Sequence, residues 1–230
     1  MRLGAGGPKA LRHLHGEPLI AHSARLLASS SAVTTVVVAA PADDVDHVAR
    51  LLRSLELDAA VHVVAGGATR SQSVLRALQT LGEDVDVVLV HDAARPLTPV
   101  GLVDAVDAAV RAGHDAVVPG IAVADTIKQV SDSDEEPLPV VVGTVDRSVL
   151  RAVQTPQGFR RDVLDAAYAA AVAEGSLDAT DDAGLVERLG HAVAVVPGEE
   201  TAFKVTGPLD LVLADAVLTQ RSAAHDGSAS

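Results

Sequence analysis

The chain has 230 residues, a formal net charge of −13 and 48% hydrophobic residues, yet only 1% aromatics and no cysteine. That acidity argues against nucleic-acid and anionic-membrane partners, which need a basic surface to displace counterions, and the lack of cysteine excludes disulfides and thiolate metal sites. The longest apolar runs fall short of a membrane span and the N-terminus lacks a signal-peptide core, so the sequence predicts a cytoplasmic protein.

A core of Val, Leu, Ala and Ile suits parallel strands covered by Ala-rich helices. With no linker-like stretch before the tail, a single domain is expected over 1–220 and a disordered tail over 221–230. The first nine residues, Met1 and Arg2 through the glycines to Pro8-Lys9, form a Gly-rich loop with cations at both ends. Such a loop lets backbone N–H groups approach phosphates, although it matches neither a Walker loop nor a dinucleotide fingerprint, and short Gly-rich termini are also simply flexible. The spacing then predicts a helix over 17–29, a β-branched strand over 34–40, and a helix with Val45, Val48, Leu52 and Leu55 on one face. A short strand over 61–64 leads to the Gly66-Gly67 turn and a helix over 71–81.

Val87-Val88-Leu89-Val90 is too uniformly apolar for a half-exposed strand and reads as the middle of a parallel sheet. It delivers His91-Asp92-Ala93-Ala94-Arg95-Pro96 to its carboxyl end, where open α/β sheets bind ligands. A helix marked by Val103, Val106 and Val110 follows. Strands and helices alternating at this spacing predict a Rossmann-like, mostly parallel, doubly wound α/β sheet. The rhythm breaks after residue 119, where strands over 121–130 and 138–142 follow one another with an acidic connection over 131–137, read as a solvated hairpin tip. This arm, about 121–148, is the candidate dimerisation element. The alternation resumes with a strand over 151–154, a helix carrying Val163, Leu164, Ala167 and Ala171, a capped helix from about Thr180, a strand over 193–196 and a last helix over 208–218.

Asp92 at a strand end suits Mg²⁺, or else caps the next helix. The cations are fifteen Arg and only three Lys, namely Lys9, Lys128 and Lys204. A retained Lys marks a place that needs a compact ammonium, or is a surface survivor. Arg2, Arg95 and Arg147 are candidate phosphate clamps, although an isolated Arg is usually solvated. His13-x-His15 lacks carboxylates at metal-ligand spacing, and no Gly-x-Ser-x-Gly elbow occurs, so zinc sites and serine hydrolases are disfavoured.

Pro8-Lys9, Gly66-Gly67 with Arg70 and Ser73, His91 to Pro96, Asp125-Thr126-Ile127-Lys128, Thr144-Val145-Asp146-Arg147, Gln154-Thr155-Pro156-Gln157, Thr180-Asp181-Asp182 and Phe203-Lys204-Val205-Thr206 stand in one order with compatible spacings. In this the chain resembles the 2-C-methyl-D-erythritol 4-phosphate cytidylyltransferase family from Arg2 to about Leu218. The resemblance implies transfer of a cytidylyl group from CTP to methylerythritol phosphate in non-mevalonate isoprenoid synthesis. Arg2, Lys9 and Lys204 would neutralise the triphosphate and transition state, and Asp92 would hold Mg²⁺ or another divalent cation. Gly66, Gly67, Ser73, Asp92 and Ala93 would line the nucleotide site. Arg147, Thr126 and Arg95, from the partner subunit's arm in a homodimer, would bind the alcohol phosphate with Thr155, Thr180 and Lys204.

The family also places a strand and a Pro-Ala-Ala-Gly-x-Gly loop ahead of the Arg that matches Arg2, and this chain starts there. The expected sheet therefore lacks its first, central strand and half of the phosphate cradle. Ala68 stands where many relatives carry a polar residue. Two other readings are a cytidylyltransferase acting on a pentitol phosphate such as ribitol 5-phosphate, and a nucleotide-binding protein inactive for want of that loop.

Overall fold

Runs of valine set the sheet. The computed structural model describes residues 9–131, 138–177 and 179–228, with the side chains of residues 9 and 224–228 outside that description. A two-residue ladder of β1 (His13–Leu14) and β2 (Glu17–Pro18) leads into α1 (Leu19–Ala28), β3 (Thr35–Ala40), α2 (Val45–Arg53), β4 (Ala60–Ala65) and α3 (Arg70–Leu78). Then come β5 (Val87–Val90), α4 (Val100–Arg111) and β6 (Ala116–Ala122), followed by the arm strands β7 (Lys128–Val130) and β8 (Val141–Thr144). The chain closes with β9 (Arg151–Val153), β10 (Gln157–Arg160), α5 (Arg161–Ala173), α6 (Ala183–Arg188), β11 (Val193–Pro197) and α7 (Pro208–Ser228).

β10 runs antiparallel to both β5 and β6, so those two point the same way, and β11 lies parallel to β6. β9 pairs antiparallel with the far end of β6. β3 and β4 form a separate parallel pair from Thr35↔Ala60 to Ala40↔Ala65. The segments after β4 and β5 meet through Arg70 and Asp92, which aligns the carboxyl ends of both groups of strands. The architecture is the expected mostly parallel α/β arrangement, with β10 as the reversed strand inside it.

Alternation along β5 explains the two covering layers. Val88 and Val90 join Phe159, Leu164, Ala167 and Tyr168 on one face, while Val87 and Leu89 pack with Val106 and Val110 on the other. That second contact is close: a Cβ on Gly158 would lie 2.5 Å from Val106 Cγ1, so a side chain there would push α4 off the sheet.

Between β3 and β5 the sheet is open. β3 pairs only with β4, and β5 only with β10, among the described residues. The gap is a cavity of about 320 Å³ walled by Val36, Val38, Val88 and Val90 and floored by residues of α1 and α3 such as Ala24 and Val74. Valine, leucine and alanine dominate its lining, with Thr34, Thr35, Ser23 and Asp107 among them, and Arg70, Ser73 and Asp92 appear at its carboxyl end.

Three expectations need correction. The strand expected over 121–130 is two strands, because Ala124 O is taken by Arg147 and Ile127 O by Val145 N–H instead of by a continuous ladder. The helix expected from Thr180 begins at Ala183, after Asp182 has turned inward. The last helix passes 218 and runs to Ser228, so residues 221–228 of the supposed disordered tail are helical. Ala223 and Ala224 are strong helix formers, and Arg221 Nη2 anchors the turn before them on Leu97 O at 3.0 Å and Thr201 Oγ1 at 3.2 Å. Arg2 and the arm tip over 132–137 lie outside the described residues. No helix among those described is long and apolar enough to cross a membrane.

Candidate active site

β5 ends at Val90 and the residues from His91 to Pro96 make a tight turn, closed by Arg95 N–H donating to Asp92 O at 2.9 Å. Neighbouring elements brace this turn. Asp92 N–H donates to Thr155 Oγ1 at 3.1 Å, Ser23 Oγ donates to Ala93 O at 3.0 Å, and Val205 N–H donates to Ala94 O at 2.7 Å. His91 sits beneath, with Nε2 3.3 Å from Arg95 O and Nδ1 3.1 Å from Thr155 Oγ1. Since a carbonyl only accepts, Nε2 carries the proton and Nδ1 accepts from the threonine hydroxyl. Burial pushes the His91 imidazole down to about 4, so the ring is neutral at physiological pH.

Asp92 faces two cations. Lys204 Nζ lies 2.7 Å from Oδ2, and Arg70 Nε lies 3.2 Å from Oδ1. Burial works to raise this carboxyl, but Lys204 and Arg70 outweigh it and hold the group below the usual carboxylate range. Lys204 arrives from the segment after β11, through a short 3-10 turn over Glu200–Ala202, and keeps 44% of its side chain exposed against 16% for Asp92.

The Gly66-Gly67 loop follows β4 and leads into α3, whose Arg70 contacts this pair at Asp92. A Cβ on Gly67 would lie 2.2 Å from Gln72 Cβ, so no other residue fits without moving α3. Ser73 Oγ accepts from Gly67 N–H at 3.0 Å and donates to Thr69 O at 2.9 Å, while Thr69 caps α3 by accepting from Gln72 N–H at 3.2 Å. The loop is thereby fixed at the start of α3, whose first residue, Arg70, reaches Asp92.

Behind Arg70 is a polar layer that reasoning from sequence leaves without roles. Arg70 Nη2 lies 2.7 Å from Asp182 Oδ2, and Tyr168 OH donates to Asp182 Oδ1 at 2.5 Å. Gln157 Nε2 donates to Asp181 Oδ2 at 2.8 Å, and Ala183 N–H donates back to Gln157 Oε1 at 3.2 Å. One signal is legible: Tyr168 is the chain's sole tyrosine, alongside two phenylalanines and no tryptophan.

A family model described as 2-C-methyl-D-erythritol 4-phosphate cytidylyltransferase matches residues 1–220. The chain belongs to this cytidylyltransferase family. It is 56% identical over 225 residues to the 2-C-methyl-D-erythritol 4-phosphate cytidylyltransferase of Frankia casuarinae, covering 98% of this chain and 79% of that one. It is 53% identical to the protein of that name from Saccharopolyspora erythraea, covering 95% and 94%. Among solved structures, the 4-diphosphocytidyl-2C-methyl-D-erythritol synthase of Anaerococcus prevotii matches with a TM-score of 0.82 at 26% identity, covering 92% of each chain. The Thermus thermophilus cytidylyltransferase matches with a TM-score of 0.71 at 39% identity, covering 93% and 94%.

Of the residues that resemblance to the cytidylyltransferases singles out, the structure joins Lys204 to Asp92, next to Ala93, after β5 and Gly67 to Ser73 after β4, and Arg70 links the second group to the first through Asp92. Lys9 opens the first described turn, a 3-10 turn over Lys9–Leu11, and its side chain, like Arg2, lies outside the description. Thr155 is 5% exposed and directs its hydroxyl at His91 and the Asp92 backbone, which makes it a brace for the turn. Thr180 is exposed two residues before Asp182. Thr126 and Arg147 are exposed at the base of the arm, where Arg147 holds Ala124 O.

Arg95 departs from its expected place. It is not part of the arm, because it ends the same tight turn as Asp92. Its guanidinium donates to Ala202 O at 2.7 Å and to Val153 O at 3.4 Å within one chain.

Proposed function

We propose that this chain transfers the cytidylyl group of CTP to 2-C-methyl-D-erythritol 4-phosphate, giving 4-diphosphocytidyl-2-C-methyl-D-erythritol and pyrophosphate, in non-mevalonate isoprenoid precursor synthesis in the cytoplasm. The observation that carries this reading is the Asp92–Lys204 pair at the end of β5, joined by Arg70 from the helix that follows the Gly66-Gly67 loop. A phosphate-monoester oxygen of the alcohol forms a bond to the α-phosphorus as the bond from that phosphorus to pyrophosphate breaks. The attacking oxygen is already anionic, so no general base is needed, and the protein's task is to align two anions and stabilise the charge that develops.

Among the described residues no cluster of three or more His, Asp or Glu exists that would cage a metal. A lone carboxylate facing an exposed ammonium suits Mg²⁺, which keeps most of its shell in water and substrate phosphates. Asp92 would hold the ion, which when bound supplies charge neutralisation at the phosphates. Lys204, released from Asp92, would turn to the same phosphates together with Arg2 and Lys9. Gly66, Gly67 and Ser73 offer a rigid backbone edge for the cytidine.

The alcohol phosphate falls to Thr126 and Arg147 from the arm of a second copy, with Thr180 beside it. Supporting a homodimer, Val130, Val141 and Val142 of the arm are 49%, 54% and 61% exposed, an apolar surface that one chain leaves uncovered.

The open seam between β3 and β5 supports a further strand completing the sheet. Among the described residues both edges leave backbone groups unpaired across a gap walled mainly by valines, which an extended apolar segment parallel to both would satisfy. Ala10, Leu11 and Ala93 pack against the cluster that includes Ala40 at the end of β3.

The test is pyrophosphate release from CTP and Mg²⁺ with methylerythritol phosphate or ribitol 5-phosphate, on this chain and on one extended by an apolar strand ahead of Met1. Release with the first alcohol, faster in the extended chain, is the expected result. CTP binding without release from either alcohol in both chains overturns the reading.

A further inference from the structure

Asp92 is held by two cations that differ in how they are themselves held. Lys204 is exposed and has only Asp92 as its ionic partner among the described residues. Arg70 is different: it is the first residue of α3, capped by Thr69, and its guanidinium spans Asp92 Oδ1 at 3.2 Å and the fully buried Asp182 Oδ2 at 2.7 Å. Asp182 is fixed in turn by the Tyr168 hydroxyl at 2.5 Å, inside a core of Phe159, Leu164 and Val186. Burial alone would lower the Arg70 guanidinium, yet Asp182 and Asp92 overcome it and raise it further, so Arg70 is a permanent cation here.

We propose that Arg70 is a positioning residue for the cytidylyltransfer reaction. It pins one oxygen of Asp92 against Asp182 and leaves the other, Oδ2, as the oxygen that passes from Lys204 to the divalent cation. The inference rests on the reading of Asp92 as the cation's carboxylate and adds how that carboxylate is aimed. A planar fork suits the task, since one guanidinium can hold two carboxylates in a set orientation where an ammonium acts as a point charge. The charges also balance: Asp92 and Asp182 against Arg70 and Lys204. Arrival of a divalent cation at Oδ2 displaces only the exposed member, Lys204, and sends it toward the incoming phosphates while the Arg70–Asp182 pair stays in place.

Arg70→Gln alone strands the buried Asp182 carboxylate and risks unfolding, so the decisive variant is Arg70→Gln/Asp182→Asn, which removes both charges together and preserves shape. Mn²⁺ binding in the presence of CTP, followed by electron paramagnetic resonance, is measured beside the Mg²⁺ dependence of turnover. The expected result is a metal requirement raised by about tenfold or more in both measurements, with the thermal midpoint near that of the parent and kcat largely recovered at saturating Mg²⁺. Arg70→Lys should fall between the two. Unchanged Mn²⁺ affinity in the folded double variant overturns the assignment, because a merely structural Arg70 would move the midpoint and leave the metal requirement alone. Failure of the parent itself to bind Mn²⁺ with CTP overturns the reading of Asp92, and this assignment with it.

Discussion

The end of β5 and the β7–β8 arm carry the two halves of the proposed reaction, and the chain holds them by different means. Around Asp92, four segments distant in sequence are tied to one turn: Ser23 to Ala93, Arg70 to Asp92, Thr155 to the Asp92 backbone, and Val205 to Ala94. In the arm, β7 and β8 pair only with each other among the described residues, and Lys128 Nζ reaches Thr144 Oγ1 at 2.6 Å across them. A preorganised site can stabilise developing charge without reorganising at the moment of reaction. Among the described residues the arm has no such frame within the chain, so in the proposed homodimer the alcohol half of the site would depend on the second copy.

The sharpest way to break that contrast is at Lys204. Lys204→Ala should lower kcat/KM by about a thousandfold, the scale of losing an electrostatic stabiliser aimed at the transition state. The fold should survive, because the ammonium is exposed and Val205 N–H keeps its own bond to Ala94 O. Steady-state kinetics beside a thermal melt decide the matter: near-normal turnover would remove Lys204 from the site.

The arm should respond differently. Arg147→Ala is expected to raise KM for the alcohol phosphate by about tenfold to a hundredfold, with KM for CTP unchanged, since only uniform binding of one substrate is lost. Val142→Asp should produce the same split, together with a shift from dimer to monomer in sedimentation. Equal effects on both substrates would show that the arm and the β5 end are one unit.

How much of this is legible in sequence follows the same division. The uniform run Val87–Val90 announces a strand covered on both faces, although its one described ladder is antiparallel, to β10, and Val87 and Leu89 are only partly buried; Asp92 and Lys204, 112 positions apart, are each marked by local context. Their contact at 2.7 Å and its coupling to Arg70 are not legible, because a salt bridge across that separation leaves no periodicity to read. Asp182 is hidden differently. Next to Thr180 and Asp181 it looks like helix-capping chemistry, and only tertiary packing shows it turned inward onto Tyr168 and Arg70. The phosphate-clamp chemistry of Arg95 points away from its true place, because the turn geometry that commits its fork to Ala202 and Val153 is invisible in the chain. The stretch after residue 220 looks like a tail by its position, yet it continues the last helix, because Arg221 is anchored on Leu97 and Thr201 and two alanines follow.

The smallest expected effect concerns the brace beneath the site. His91 is held neutral, its value depressed to about 4 from an ordinary 6.5. As pH falls through that window the unfolded chain takes up a proton that the folded chain refuses, so stability declines with falling pH between about 6.5 and 4 and is independent of this group on either side. The full decline from this one group is roughly 3 kcal/mol, and the first unit below neutrality shows only a fraction of it. His91→Gln keeps a donor for Arg95 O and an amide oxygen for Thr155 but cannot titrate. Denaturant unfolding of parent and variant at a series of pH values should therefore give curves that run together above pH 7 and separate below it, the variant losing less. Parallel curves would mean that the imidazole is already solvated in the folded chain. The turn that aims Asp92 would then be as loosely held as the arm, and the contrast between the two halves of the site would collapse.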